Sequence, residues 1–163
     1  MESLYIHIPF CKQACRYCDF YFTVSLHFQD RFTGALLREL ELRIPARTGK
    51  SLKSLYFGGG TPSLLSLENL EKILHHLQEL YQIGSDTEMT LEVNPDDLEE
   101  RSLSEYRKMG WNRISIGIQS FRQEDLDLMR RSHDVSAAER SIRLCRKAGF
   151  DNISVDLISV NIG

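Results

Sequence analysis

Two stretches of this chain, KMGWNRISIGI at residues 108–118 and KAGFDNISVDL at residues 147–157, read as one pattern written twice. Each begins with a basic residue suited to the last turn of a helix. Each then passes through a glycine suited to the left-handed position beyond a helix end, places an aromatic residue, and runs into a strand. The two glycines, Gly110 and Gly149, are 39 residues apart, a length that fits one strand-plus-helix unit. Repetition of such a unit restricts the fold more than any other feature, because strands joined through helices run parallel.

The rest of the chain keeps the alternation. Strand-like runs are LYIHI (4–8), SLYF (54–57), MTLEV (89–93), RISIGI (113–118) and NISVDLI (152–158). Between them Phe28, Phe32, Ala35, Leu36 and Leu40 recur at helical spacing, as do Leu67, Leu70, Ile73, Leu74, Leu77 and Tyr81. Both sets are expected to be core-facing stripes. The 163 residues suit one domain, and a hydrophobic content of 42% is enough to fill its core. Parallel winding of this kind gives either an open doubly wound sheet or a barrel, and in both the ligands collect at the carboxyl ends of the strands. Functional residues are therefore sought at residues 9–22, 58–62, 92–95 and 119–121 and at Asp156.

Charge and termini exclude several classes. The net charge is −3 and the basic residues are scattered, so there is no positive stripe for a phosphate backbone and nucleic acid is not an expected partner. The start, MESLYIHIPF, has no basic flank, long apolar centre or small-residue cleavage site, and no apolar run reaches membrane-spanning length. A cytoplasmic, reducing setting is expected, where clustered cysteines bind metal or do chemistry more often than they form disulfides.

Three of the four cysteines, Cys11, Cys15 and Cys18, fall in CKQACRYCDF at residues 11–20, with the spacing C-x3-C-x2-C on a loop leaving the first strand. A structural zinc site would want a fourth ligand, and only His7 or the distant Cys145 is on offer. A disulfide would leave an odd thiol. Three thiolates on a [4Fe–4S] cluster would leave one iron without a protein ligand, an open position for a substrate or cofactor. Cys145, among apolar neighbours before a helix end, reads as a core residue.

Other strand ends carry less specific signals. Gly58, Gly59 and Gly60 precede Thr61 and Pro62; glycine allows close backbone approach to a ligand, a tight turn is the alternative, and the missing Lys excludes a phosphate loop. Glu92 is an acid within an apolar strand, which either faces solvent or needs a partner. The pair His75 and His76 reads as a solvated or half-buried helix face.

The cysteine spacing with Tyr17 before the third Cys resembles the signature of radical S-adenosylmethionine proteins, and YIHIPFCKQACRYCDFY with YFGGGTPSLL resembles their coproporphyrinogen-dehydrogenase-like branch, up to about Ile158. The resemblance implies an α/β fold of repeated βα units in a partial parallel barrel. It implies a [4Fe–4S] cluster on Cys11, Cys15 and Cys18 whose fourth iron is chelated by S-adenosylmethionine, with one electron able to cleave the sulfonium to methionine and a 5′-deoxyadenosyl radical. It also carries over Tyr5, Tyr17, Gly59, Gly60, Thr61, Glu92, Gln119, Arg131 and Asp156 as cofactor contacts. Of these, Gly59, Gly60 and Thr61 would meet the amino group. Arg131, chosen over Arg130 because it stands two before His133, could pair with the carboxylate, and Asp156 could accept from ribose hydroxyls. His7 is carried over as support.

The dehydrogenase branch removes two propionate carboxyls of coproporphyrinogen III, and typically carries a further Cys two residues after the third cluster Cys and an N-terminal extension. Here that position is Phe20, and four residues precede Tyr5. The chain is therefore more similar to the haem chaperone subgroup, with haem as cargo and a haem-accepting protein and an electron donor as partners; the porphyrinogen oxidase is the alternative. Family members are more than twice as long. The ending DLISVNIG also departs from the Gly-Leu-Pro-like turn that should follow DLI. These departures predict an incomplete radical SAM core over residues 1–163, truncated after the fifth strand and lacking the family's C-terminal domain, with an inactive product as a third reading.

Overall fold

The computed structural model describes residues 2–44 and 49–159. Five strands, β1 (Glu2–Ile8), β2 (Leu52–Gly59), β3 (Glu88–Val93), β4 (Arg113–Gln119) and β5 (Asn152–Leu157), form one all-parallel sheet in the order β1-β2-β3-β4-β5. The helices are α1 (Gln29–Arg43), α2 (Leu67–Leu80), α3 (Glu100–Lys108), α4 (Gln123–Met129) and α5 (Val135–Lys147). Short 3-10 turns at Leu26–Phe28, Pro62–Leu64 and Pro95–Asp97 lead out of the strand-end loops. A strand order that never reverses excludes the doubly wound alternative, and right-handed crossovers put every helix on the same face of the sheet.

That placement explains the two faces of the sheet. Leu55, Phe57, Leu91, Val93, Ile114 and Ile116 point toward the helices and form one core with Leu70, Ile73, Leu77, Leu103 and Tyr106. The opposite face is polar: Tyr56 donates to Glu92, Arg113 reaches Thr90 Oγ1 at 3.2 Å and Ser154 Oγ at 2.9 Å, and Ser154 donates to Ser115 at 2.9 Å. Period-two alternation in each strand thus separates the core from a polar concavity.

Helix boundaries follow local chemistry. Ser66 caps α2 by accepting from the Asn69 N–H, Asp134 caps α5 by accepting from the Ala137 N–H, and Glu99 and Ser102 form a reciprocal capping box at α3. The repeated glycines behave as their spacing predicts. Gly110 and Gly149 have φ of +96° and +84°, and each opens the same double closure: Gly110 N to Arg107 O and Trp111 N to Tyr106 O, then Gly149 N to Arg146 O and Phe150 N to Cys145 O. Trp111 and Phe150 are both fully buried, and the Arg107 guanidinium lies 5.1 Å over the Phe150 ring, joining one repeat to the next.

Several expectations need correction. β1 begins at Glu2, and β2 continues through Gly58 and Gly59, which pair with His7 and Ile8 rather than lying beyond the strand. The stripe on α1 is only partly buried. Phe28 precedes the helix in a 3-10 turn, is 46% exposed and packs on the His27 ring at 3.9 Å, while Ala35 is exposed and Phe32 and Leu36 are half-buried. The cause is position, since α1 lies beside the edge strand β1 and its main helical neighbour among the described residues is α2. On α2, in contrast, Leu70, Ile73, Leu74 and Leu77 are buried as expected, Tyr81 is buried just past the helix end, and Leu67 packs against the core. Cys145 is fully buried, and burial pushes its thiol up to about 12. β5 ends at Leu157, and no strand among the described residues pairs with its outer edge. Most of the departing tail, residues 160–163, lies outside the described residues. Among those described, no helix is long and apolar enough to cross a membrane.

Candidate cofactor site at the carboxyl end of the sheet

The cysteine loop leaves β1 and is closed on itself at its base, where Cys11 N donates to Thr23 O (2.9 Å) and Thr23 N donates to Pro9 O (2.7 Å). The glycine-rich end of β2 grips the same base: Gly60 N donates to Ile8 O (2.8 Å) and Thr61 N to Phe10 O (2.6 Å). On the far side Arg16 N donates to Met129 O (3.2 Å) and Gln13 Nε2 to Arg130 O, tying the loop to the end of α4. His7, expected as support, bridges strand and loop. Its Nε2 meets the Tyr21 carbonyl at 2.9 Å and so carries the proton, leaving Nδ1 to accept from the Tyr5 hydroxyl at 3.3 Å.

Each glycine is required by packing inside this chain. A Cβ on Gly58 would lie 2.9 Å from the Glu92 carboxylate and 2.7 Å from the Tyr56 ring. One on Gly59, whose φ is +111°, would lie 2.5 Å from the His7 ring, and one on Gly60 would lie 2.7 Å from Phe10 O. The close approach anticipated for a ligand is therefore made first by the chain's own neighbours.

Cys11, Cys15 and Cys18 line one cavity of about 170 Å³ together with Tyr17, Gly59, Gly60 and Thr61. Glu92, Gln119, Arg131 and Asp156 line the same cavity from the ends of β3 and β4, the loop after α4 and β5. Tyr5 is not brought there. It stacks on Tyr56 with centroids 5.8 Å apart, one residue removed from the cavity through the Tyr56–Glu92 hydrogen bond.

The groups in the cavity are held by one another. Arg131 Nη1 donates to Cys15 Sγ (3.4 Å) and the Tyr17 hydroxyl (3.1 Å), and its Nη2 donates to Asn94 Oδ1 (2.7 Å) and Gly117 O (2.8 Å). Thr61 Oγ1 donates to Cys11 Sγ at 3.9 Å and accepts from Asn94 Nδ2 at 3.0 Å. Glu92 does not simply face solvent, since it accepts from the Tyr56 hydroxyl at 2.6 Å and the Gly59 N–H at 3.0 Å. Burial raises its pKa despite both donors, and burial also raises that of Asp156 against the pull of Arg113 and Arg131. Burial likewise pushes the Cys11 thiol up and takes the Tyr17 hydroxyl to about 12. Gln119 sits at φ +68°, left-handed for a non-glycine, where the β4–β5 register shifts and Ile158 N donates to its carbonyl at 2.8 Å.

Three contributors escaped sequence reasoning. Asn94 links Thr61 to Arg131, and Gly117 gives them room, because a Cβ there would lie 3.2 to 3.4 Å from Gln119, Asn94 and Arg131. The third is Lys12. The signal for Asn94 and Lys12 was their place at strand ends, within residues 92–95 and 9–22; Gly117, inside β4, gave none.

The donor set suits an iron–sulfur cluster, since Cys11, Cys15 and Cys18 line one cavity and thiolates are the usual holders of such clusters. A cation, Arg131, and two carboxylates, Glu92 and Asp156, stand in the same cavity, a charge set suited to a small zwitterionic ligand.

Comparison with known proteins agrees with this architecture. The profile of the radical SAM superfamily matches residues 5–163, and the chain belongs to that superfamily. Its sequence is 40% identical over 162 residues to the heme chaperone HemW of Bacillus subtilis, across 97% of this chain and 42% of that protein. It is 34% identical over 158 residues to the oxygen-independent coproporphyrinogen III oxidase of Escherichia coli, across 96% of this chain and 35% of the oxidase. The solved structure of coproporphyrinogen III oxidase (HemN) from Escherichia coli, described as a radical SAM enzyme, superposes with a TM-score of 0.86 over 95% of this chain and 36% of its own. At 16% identity and a TM-score of 0.61, the structure of anSMEcpe with bound AdoMet shares the fold. The chain thus spans less than half the length of the curated relatives it matches.

Proposed function

We propose that this chain forms the cluster- and S-adenosylmethionine-binding part of a haem chaperone, which binds haem and passes it to an acceptor protein. The observation that carries the reading is Phe20. It lines the cavity rim, 66% exposed, where the oxidase branch typically has a further cysteine. The 40% identity to a heme chaperone supports the same side of the division.

In this reading Cys11, Cys15 and Cys18 hold the cluster, and Arg131 leaves Cys15 and Tyr17 to pair with the cofactor carboxylate. The carbonyls and hydroxyl of Gly59, Gly60 and Thr61 take the amino group, Glu92 braces them, and Gln119 and Asp156 meet the nucleoside. When bound, the cluster and S-adenosylmethionine supply one-electron reductive chemistry at a sulfonium. An electron donor and a cytoplasmic setting belong to the same reading.

The oxidase reading is kept by the TM-score of 0.86 to HemN. The two are separated by supplying coproporphyrinogen III, reductant and S-adenosylmethionine without oxygen to the reconstituted protein, and by titrating it with haem. Stable haem uptake without protoporphyrinogen formation is expected; protoporphyrinogen formation overturns the chaperone reading.

A further inference from the structure

Lys12 of the cysteine loop takes no part in the cavity network described above. Lys12 follows Cys11 directly, and its ammonium crosses to two adjacent carboxylates after β3, Asp96 at 2.8 Å and Asp97 in a still shorter contact. The Asp97 side chain is 4% exposed and that of Asp96 21%. Ser63 Oγ donates to Asp97 at 3.2 Å and Ser132 Oγ to Asp96 at 3.1 Å. One ammonium therefore sits where four segments cross, those following β1, β2, β3 and α4. Each segment also carries a member of the cavity network: Cys11, Thr61, Asn94 and Arg131.

Two neighbouring carboxylates, one of them nearly buried, repel each other unless a cation stands between them. Lys12 is that cation. Remove it and the turn after β3 must relax outward, taking Asn94 from Thr61 and Arg131, while the cysteine loop loses its charged anchor on that side. Other ties across the cavity include the Gln13 and Arg16 bonds to backbone carbonyls at the end of α4, the Arg131 bonds to Cys15 and Tyr17, and the Thr61 bond to Cys11.

We propose that Lys12 is a positioning residue: by bridging Asp96 and Asp97 it holds the cysteine loop in its cluster-receiving shape before any iron arrives. The ordering cost of the loop is then met on folding rather than on cluster uptake. The inference rests on reading Cys11, Cys15 and Cys18 as cluster ligands, so its test has one arm that needs no iron.

In the cluster-free full chain, trypsin cleavage after Arg16 and alkylation of Cys15 are timed in wild type, Lys12→Met, Lys12→Arg and Asp96→Asn, with thermal melting as the control for folding. Lys12→Met is expected to be cut and alkylated several-fold faster with its melting transition kept, Asp96→Asn to lie between, and Lys12→Arg to match wild type. After anaerobic reconstitution, Lys12→Met should lose iron to a chelator roughly tenfold faster, as for losses of groups that orient metal ligands. Its reduced cluster should show an altered paramagnetic resonance signal that Lys12→Arg restores. Equal cleavage and alkylation in all four proteins overturns the proposal, as does a Lys12→Arg variant as exposed as Lys12→Met. If wild type takes up no cluster, the reading of the cysteines fails, and the iron-free arm alone decides whether Lys12 orders the loop.

Discussion

At Gly59 a backbone requirement and a side-chain requirement coincide. Its φ of +111° is costly for any L side chain, and the His7 ring occupies the place of a Cβ at 2.5 Å. Gly59→Ala is expected to lower stability by at least about 2 kcal/mol, combining left-handed strain with displacement of His7, read as a shift in urea midpoint. His133 gives a pH-dependent counterpart. It is buried, its Nε2 meets Ile118 O at 3.0 Å, and its Nδ1 has no hydrogen-bond partner among the described residues. Burial, then the neighbouring Arg131, lowers its pKa below the ordinary 6.5, against the weaker opposing pull of the Ile118 hydrogen bond and of Asp96 and Asp134. The folded chain thus keeps this imidazole neutral where the unfolded chain protonates it. The stability it contributes is present above 6.5 and is lost as the pH falls from there through the folded value. His133→Gln keeps the donor to Ile118 O, and its stability is expected to fall less than that of wild type over this window in paired urea melts.

Among the elements, α1 and α2 show why one apolar stripe can be read from sequence and another cannot. Both have helical periodicity, but α2 lies over sheet interior with Leu77 fully buried, whereas α1 covers an edge and leaves Phe28 out in a 3-10 turn. Leu77→Ala is expected to cost about 2–5 kcal/mol and Phe28→Ala less than about 0.5, measured by the same denaturant melts. The strands and the glycine caps were legible because pleat alternation and left-handed backbone are local properties. That Cys11, Cys15, Cys18, Gly59 and Gly60 would share one cavity was legible because all of them stand where parallel strands end. Asn94, Gly117 and Lys12 were not, since each acts through partners brought close only by the fold. Tyr5 was pointed to by the family resemblance alone; its ring stacks on Tyr56, which in turn donates to Glu92 at the cavity.

For the molecule as a whole, the outer strand sets the behaviour. Every residue of β5 is at least partly exposed, with Val155 at 38% and Leu157 at 60%, and its outer hydrogen-bonding edge is unpaired among the described residues. An apolar open edge is a template for association. The 163-residue chain is therefore expected to self-associate in light scattering, and a monodisperse sample that melts cooperatively would count against this. The wiring of the cysteine loop has a consequence of a different kind. The sulfurs of Cys11 and Cys15 are braced by Thr61 and Arg131, partners 50 and 116 positions downstream. A ribosome that has delivered only the opening residues has delivered three loose thiols with nothing to steady them. The shaped loop is accordingly a property of a chain translated at least as far as the segment after α4, and a nascent chain halted earlier would offer its thiols to any passing oxidant.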